Sequence, residues 1–268
     1  MDAIQNISLA EVAKNAPEEY VLSIKLSLNG LSFIIRKGDD AVHLTYYEWS
    51  KGANEVNLKN FKEILHENEW TGLAYSKVQI FIHSPHTLLI PEQAEQTQLS
   101  RLYSSYLGIS DHQILTQQLN TAYLVFGVQA DTYKLMQEFY PQAEWKHCSA
   151  AFIKHGLENT QNKEEVFVNH HHGYFEVLAI KDKKLNAHNY FHYSDTEEYL
   201  FKLLSFFKQT DMDINHMQLH LLGMINKSSK LHQAVVKYIP NVAFEAISNP
   251  QKEDVFKQFI EAVNYENR

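Results

Sequence analysis

The chain has 268 residues, 44% of them hydrophobic and 21% charged, which suits one large domain or two of ordinary size around a real core. Its net charge of −8 argues against a general nucleic-acid binder, which would normally show a basic patch or stripe, and disfavours docking on an anionic membrane surface. A single cysteine, Cys148, excludes an intrachain disulfide and a Cys-based zinc site.

No run of about 18 apolar residues is present, so no membrane insertion is expected. The polar opening "MDAIQNISLAEVAKNAPEEY" is not a signal peptide, and a cytoplasmic location is expected. Fifteen histidines are scattered through the chain and read as composition. There is no H-E-x-x-H, no Walker-type loop, no G-x-G-x-x-G and no G-x-S-x-G, which removes the enzymes most readable from sequence.

In chain order, residues 1–19 read as an N-terminal arm. Leu22, Ile24, Leu26 and Leu28 then alternate with mostly polar neighbours, the period of a half-buried strand. Asn29-Gly30 is a hairpin signal, because a type I′ turn needs positive φ at both central residues. Leu31, Phe33 and Ile35 continue in the return strand, and "AVHLTYYEW" offers a third. Tyr46, Tyr47 and Trp49 there either pack on the following helix or form an aromatic patch. Leu58, Phe61, Ile64 and Leu65 have helical spacing. "VQIFIH" and "HTLLIPE" are short apolar segments, and Glu92 follows the second. Leu99, Leu102, Tyr103, Tyr106 and Leu107 mark another helix, and "TAYLVFGV" a strand. "DTYKLMQEFYP" is a helix with Asp131 as cap and Pro141 as stop. "AEWKH" and "SAAFIKHGLE" complete this half.

A polar linker, "ENTQNKEE", spans 158–165, and the order begins again. "VFVNHH" and "YFEVLAIK" form a hairpin whose turn holds His172-Gly173, and "KDKK" is a solvated second turn. "KKLNAHNYFHY" is a third strand. A helix follows, capped by Asp195 or Thr196, with Tyr199, Leu203 and Phe207 inward. "HMQLHLLG" is a strand, and Leu231, Val235, Tyr238 and Ile239 define a helix stopped by Pro240. "VAFEAI" is a last strand, and "EDVFKQFIEAVNY" a closing helix with Val255, Phe256, Phe259, Ile260 and Val263 on one face.

Each half reads strand, strand, strand, helix, strand, helix, then strand, helix. The expected fold is α/β, two tandem ribonuclease H-like units (βββαβα), with lobes at 20–157 and 166–268 and a cleft between them. The tandem resembles the actin-like ATPase superfamily. More closely, the chain resembles an uncharacterised Bacteroidetes domain-of-unknown-function family with an actin-like fold. The resemblance is carried by "LSIKLSLNGLSFII", "HTLLIPE", "LNTAYLVFGVQADTYKLMQEFYPQAEWKH", "NYFHYSDTEEYLFKLLSFFKQTDMD" and "LHLLGMINKSSKLHQAVVKYIPNVAF", in that order.

The resemblance implies where chemistry would sit. In active members the first hairpin of each half grips phosphate: a glycine lets backbone N–H groups approach, and an aspartate at each turn helps hold hydrated Mg²⁺, a hard cation that selects oxygen ligands. Here Asn29-Gly30 keeps the glycine but replaces the acid. In "HHHG" the glycine is Gly173, and His171 and His172 stand near the expected acid, although imidazole suits Mg²⁺ poorly. Three readings of His170, His171 and His172 stand: the solvated end of a strand pair, a neutral-histidine metal site, or an anion site built from His⁺ and turn N–H groups. Consecutive strand residues face opposite ways, which favours the first. Members hold the adenosine with a strand ending in two glycines. Here Gly223 is followed by Met224, whose side chain would crowd a nucleoside, and Ser228 or Ser229 caps the next helix. The candidate cofactor-binding residues are therefore Asn29, Gly30, His171, His172, Gly173 and Gly223, a degenerate nucleotide cleft. No catalytic residue, metal or cofactor is expected, with ATP and Mg²⁺ as the alternative. The expected function is a non-catalytic scaffold or adaptor that binds a protein partner, including its own copies. A nucleotide-binding switch or phosphotransferase is the alternative.

Overall fold

In the computed structural model, the strand that opens each repeat lies inside a sheet, between a hairpin partner and a parallel neighbour. The structure describes residues 5–8, 12–27, 30–38, 40–48, 58–84, 86–119, 122–171 and 173–244. The chain divides into two compact units, Met1–Ala150 and Ala151–Glu266.

The first unit holds β1 (Gln5–Ser8), β2 (Val21–Ser27), β3 (Gly30–Lys37), β4 (Asp40–Glu48), α1 (Leu58–Glu67) and β5 (Lys77–Ile82). Next come β6 (Thr87–Pro91), α2 (Leu99–Leu107), β7 (His112–Gln118), β8 (Ala122–Gln129), α3 (Ala130–Phe139) and β9 (Glu144–His147). The main sheet has the order β1-β4-β3-β2-β5-β9, with β2-β5 and β5-β9 parallel. Residues 5–8, within the stretch read as an arm, are thus its edge strand.

β2 departs from its sequence pattern. Leu22, Ile24 and Leu26 enter the core with Phe33, Phe61 and Ile80, as alternation requires. Its other face is buried too: Ser23 is 0% and Lys25 7% exposed. Arg36 Nη2 donates to Gln79 Oε1 at 2.9 Å on this face. A strand central to a mixed sheet has no side left for water, whatever its period. Tyr47 joins the core and packs edge-on to Phe33 at 6.1 Å, while Trp49 lies outside the described residues.

β6, β8 and β7 form a separate three-stranded sheet in that order, inserted between β5 and α3. "TAYLVFGV" is therefore not a strand of the main sheet. Its Phe126 and Val128 pack into the core of the unit, while Val125 meets Ile90, Leu99 and Tyr103. Asp131 is not the cap of α3: Gln129 holds that position and makes no side-chain cap bond.

α4 (Cys148–Asn159) runs from the first unit into the second. The second unit continues with β10 (Glu164–His171), β11 (Tyr174–Lys181), β12 (Lys184–His192), α5 (Thr196–Gln209), β13 (Gln218–Gly223), α6 (Lys230–Val235) and β14 (Val242–Phe244). The sheet order β12-β11-β10-β13-β14 repeats the β4-β3-β2-β5-β9 of the first unit. The duplication read from the sequence is a duplication of topology. Val166, Val168, Phe175, Val177, Leu219 and Leu221 pack against Tyr199, Leu203 and Phe207 of α5.

Asp195 caps α5, its Oδ1 accepting from Glu198 N–H at 2.8 Å, and Ser229 caps α6. α6 is shorter than its periodicity suggests and gives way to turns before Pro240. The strand beyond Phe244 and the closing helix expected over 253–263 lie outside the described residues. Within "ENTQNKEE", Glu165 is fully buried. Its Oε1 accepts from Gln161 N–H at 2.9 Å and Asn162 Nδ2 at 2.7 Å, and its Oε2 lies 2.9 Å from His220 Nε2. Among the described residues no helix is long and apolar enough to cross a membrane.

Candidate functional site

The second hairpin is closed by His171 opposite Tyr174, so its loop is 172–173. His172 lies outside the described residues. Gly173 has φ +79°, a left-handed conformation that a side chain resists. The histidines before it alternate as strand residues do. His170 is 1% exposed and turns into the core. Its ring lies 3.0 Å from the Leu222 carbonyl through Nδ1 and 2.7 Å from Tyr199 Oη through Nε2. A carbonyl can only accept, so Nδ1 carries the proton and Nε2 accepts from the tyrosine hydroxyl. Burial pushes the His170 pKa down to about 4, against the raising effect of the backbone hydrogen bonds. The expectation of a solvated strand end is thus wrong for His170, which is a neutral, doubly bonded core residue. His171 faces the other way and stacks on Tyr174 at 4.4 Å.

On that opposite face the sheet register assembles residues that the sequence gives no reason to group. Asn169 stands opposite Glu176 on β11, and Glu176 opposite Tyr190 on β12. Asn169 is 4% and Glu176 2% exposed. Burial, and then the Glu176 charge, hold the Tyr190 phenol well above its usual range.

Gly223 ends β13 beside His170, with φ +76°. A Cβ there would strike the His170 carbonyl oxygen, and would lie 2.5 Å from Asn169 Oδ1 and 2.9 Å from His170 N. The next residue, Met224, donates its N–H to the same carbonyl at 2.8 Å and leaves its side chain exposed. The glycine is therefore required by close packing on β10, independent of any ligand.

The first hairpin is closed by Ser27 opposite Gly30. Its loop is residues 28–29, both outside the described set, Asn29 among them. Gly30 is the first residue of β3 and is not one of the positive-φ glycines, so Asn29-Gly30 is not the central pair of a type I′ turn. It is required for space: a Cβ would strike the Tyr47 carbonyl oxygen and lie 2.5 Å from Tyr46 Cε2. Counting back from the closing pairs, Lys25 in the first unit corresponds to Asn169 in the second. Each pairs with a strand one residue before its end, at Phe81 and Leu222. Glu92 is exposed in the turn after β6, 3.5 Å from Gln118 Nε2.

Of the six candidate residues, the structure brings His171, Gly173 and Gly223 to one end of the second sheet, with Asn169 and Glu176 added to them. Gly30 belongs to the first unit, and Asn29 and His172 are not described. Among the described residues no three His, Cys, Asp or Glu side chains gather as metal ligands do.

The model of a family described as "protein of unknown function (DUF3822)" matches residues 10–242. A Bacteroides thetaiotaomicron protein with an actin-like ATPase fold and unknown function superposes with a TM-score of 0.81 at 22% identity, covering 95% of this chain and 99% of that one. A chain of the PilM–PilN type IV pilus biogenesis complex superposes with a TM-score of 0.56 at 11% identity, covering 93% and 98%. No curated protein matches in sequence. The fold is that of the actin-like ATPases.

Proposed function

We propose, since the chain belongs to the DUF3822 family of proteins of unknown function and has an actin-like fold, that it is a non-catalytic scaffold or adaptor binding a protein partner. The observation that carries this reading is the use made of Gly223 and His170. At Gly223 the His170 backbone and the Asn169 amide fill the space a side chain would take, so packing on β10 accounts for this glycine without a ligand. His170 has both ring nitrogens engaged and is held neutral, so it offers an anion no charge. Phosphoryl transfer rests on positioning and charge, and these residues supply neither. PilM, of the same fold, is found in a complex with PilN; as an analogy of fold this supports an adaptor role.

A second reading, a nucleotide-binding switch, is favoured by Glu176. It puts one buried carboxylate on the hairpin end, facing Asn169, where a hydrated Mg²⁺ would find oxygen ligands. Calorimetry of the full-length protein with ATP and Mg²⁺ separates the two. The scaffold reading expects no heat at millimolar nucleotide. Micromolar affinity would overturn it and make Asn29, Gly30, Gly173, Glu176 and Gly223 the residues to substitute.

A further inference from the structure

We propose that the outer edge of β12 pairs, antiparallel and two-fold symmetric, with the same edge of a second copy of this chain. The two units end their sheets differently. In the first, β1 lies on the outer edge of β4, with Gln5 opposite Tyr46 and Ser8 opposite His43. In the second, β12 takes the place of β4, and no strand lies beyond it among the described residues. The correspondence is residue by residue. Glu48 opposite Gly30 matches His192 opposite Tyr174, and both registers shift at one place, just past the pairs Ile35–His43 and Ala179–Ala187. The β4 residues that β1 covers, 43–46, therefore correspond to 187–190 of β12.

The ladder tells which backbone groups of β12 point outward. Tyr193 N–H donates to the Gly173 carbonyl at 3.1 Å, so that pair is hydrogen-bonded, and the pairs alternate from there. Ala187, Asn189 and Phe191 turn their backbone groups toward β11, while His188, Tyr190 and His192 turn theirs away. Tyr190 N–H donates to the exposed Asn189 Oδ1 at 2.8 Å, and the His192 carbonyl accepts from Lys202 Nζ at 2.7 Å. The N–H and carbonyl of His188 have no such partner among the described residues. Edges left open are ordinarily guarded by charge or proline. From Leu185 to His192 there is no Asp, Glu, Lys, Arg or Pro, in a chain of net charge −8. A second copy fits this edge. It brings the same uncharged strand, the two-fold axis makes the strands antiparallel, as β1 is on β4, and one contact closes both edges. With the axis at Asn189, His188 of each copy exchanges N–H and carbonyl bonds with Tyr190 of the other, and two five-stranded sheets become one. Asn189 then meets its own copy in a non-hydrogen-bonded pair, with Cα atoms about 4.5 Å apart.

The test is sedimentation velocity on the full-length protein at up to about 100 μM, a range suited to a seam of about four backbone hydrogen bonds. A monomer–dimer equilibrium is expected. His188→Pro removes an outward N–H that the dimer uses twice, and edge strands accept proline where the N–H faces solvent. It should weaken association roughly thirtyfold. His188→Ala keeps the N–H and should associate as wild type does. Asn189→Cys places two thiols within disulfide reach, so mild oxidation should link the dimer, while wild type, whose Cys148 is buried, stays unlinked. The cysteine variant decides the matter even where the proline variant fails to fold. A protein that stays monomeric throughout, equal association of the folded proline variant and wild type, or no linkage at position 189 would each overturn the proposal. ATP binding by calorimetry would remove the scaffold reading and leave this one standing.

Discussion

Acid should destabilise the second unit through His170, by an amount that follows from its burial. In the unfolded chain its imidazole titrates near 6.5, and in the fold at about 4. The native state thus refuses a proton that the unfolded state accepts. Above about pH 7 both states are neutral and the residue contributes no pH dependence. Below that, the unfolded state binds more protons and stability falls with pH, by up to about 1.4 kcal/mol per unit, until the folded pKa is reached. Integrated from neutrality to about pH 5, the loss from this one residue is about 2 kcal/mol. His188, partly buried, is pushed down to about 4 as well, so the wild-type loss alone does not isolate His170. A difference of differences does. Urea denaturation of wild type and His170→Gln at about pH 7 and about pH 5 should show the variant losing about 2 kcal/mol less on acidification. Far-UV circular dichroism is the signal to use, because all three tryptophans, at 49, 70 and 145, belong to the first unit. Equal acid sensitivity in the two proteins, or a histidine resonance for residue 170 titrating near 6.5, would refute the reasoning.

Gly223→Ala should cost about 3 kcal/mol or more, from a left-handed φ and a collision with the His170 carbonyl, and should lower the thermal midpoint of the second unit. Glu165→Ala leaves the Gln161 and Asn162 donors and His220 without their acceptor in a fully buried site; a loss of about 3 kcal/mol in urea is expected. The β11–β12 turn is tight, with Asp182 at φ 52° and Lys183 at φ 60°. Replacing the pair by Asn-Gly should stabilise the protein by about 1 kcal/mol, and a lower melting temperature would count against the turn assignment. Asp195→Ala should remove the cap of α5 and cost about 1 kcal/mol by chemical denaturation, while Asp131→Ala, at a position that makes no cap bond, should cost much less.

What the sequence determined by itself was local. Period-two alternation and turn residues placed β2, β3, β10 and β11, and the order of elements disclosed the duplication, because each of these signals lies within about ten residues. The caps were legible to within one residue, as Asp195 or Thr196 and Ser228 or Ser229, for the same reason: a side chain bonds a backbone N–H three residues away, and the structure selects Asp195 and Ser229. β7, over "HQILTQQ", gave too mixed a pattern to read, and its placement in a separate sheet follows from packing against β8. The site was the least legible part. His170 differs from His171 only in which face of β10 it occupies, and that is fixed by the position of Tyr199 and of Leu222, 52 residues away. Gly30 and Gly223 looked like residues kept for a ligand. Tertiary structure adds a packing reason for each, since a Cβ would meet the Tyr47 or the His170 carbonyl. Glu176 and Asn169 became a pair only through the antiparallel register of β10 and β11. Alternation tells which side chains share a face. What lies across that face depends on strands brought together from distant parts of the chain, and only the assembled sheet decides it.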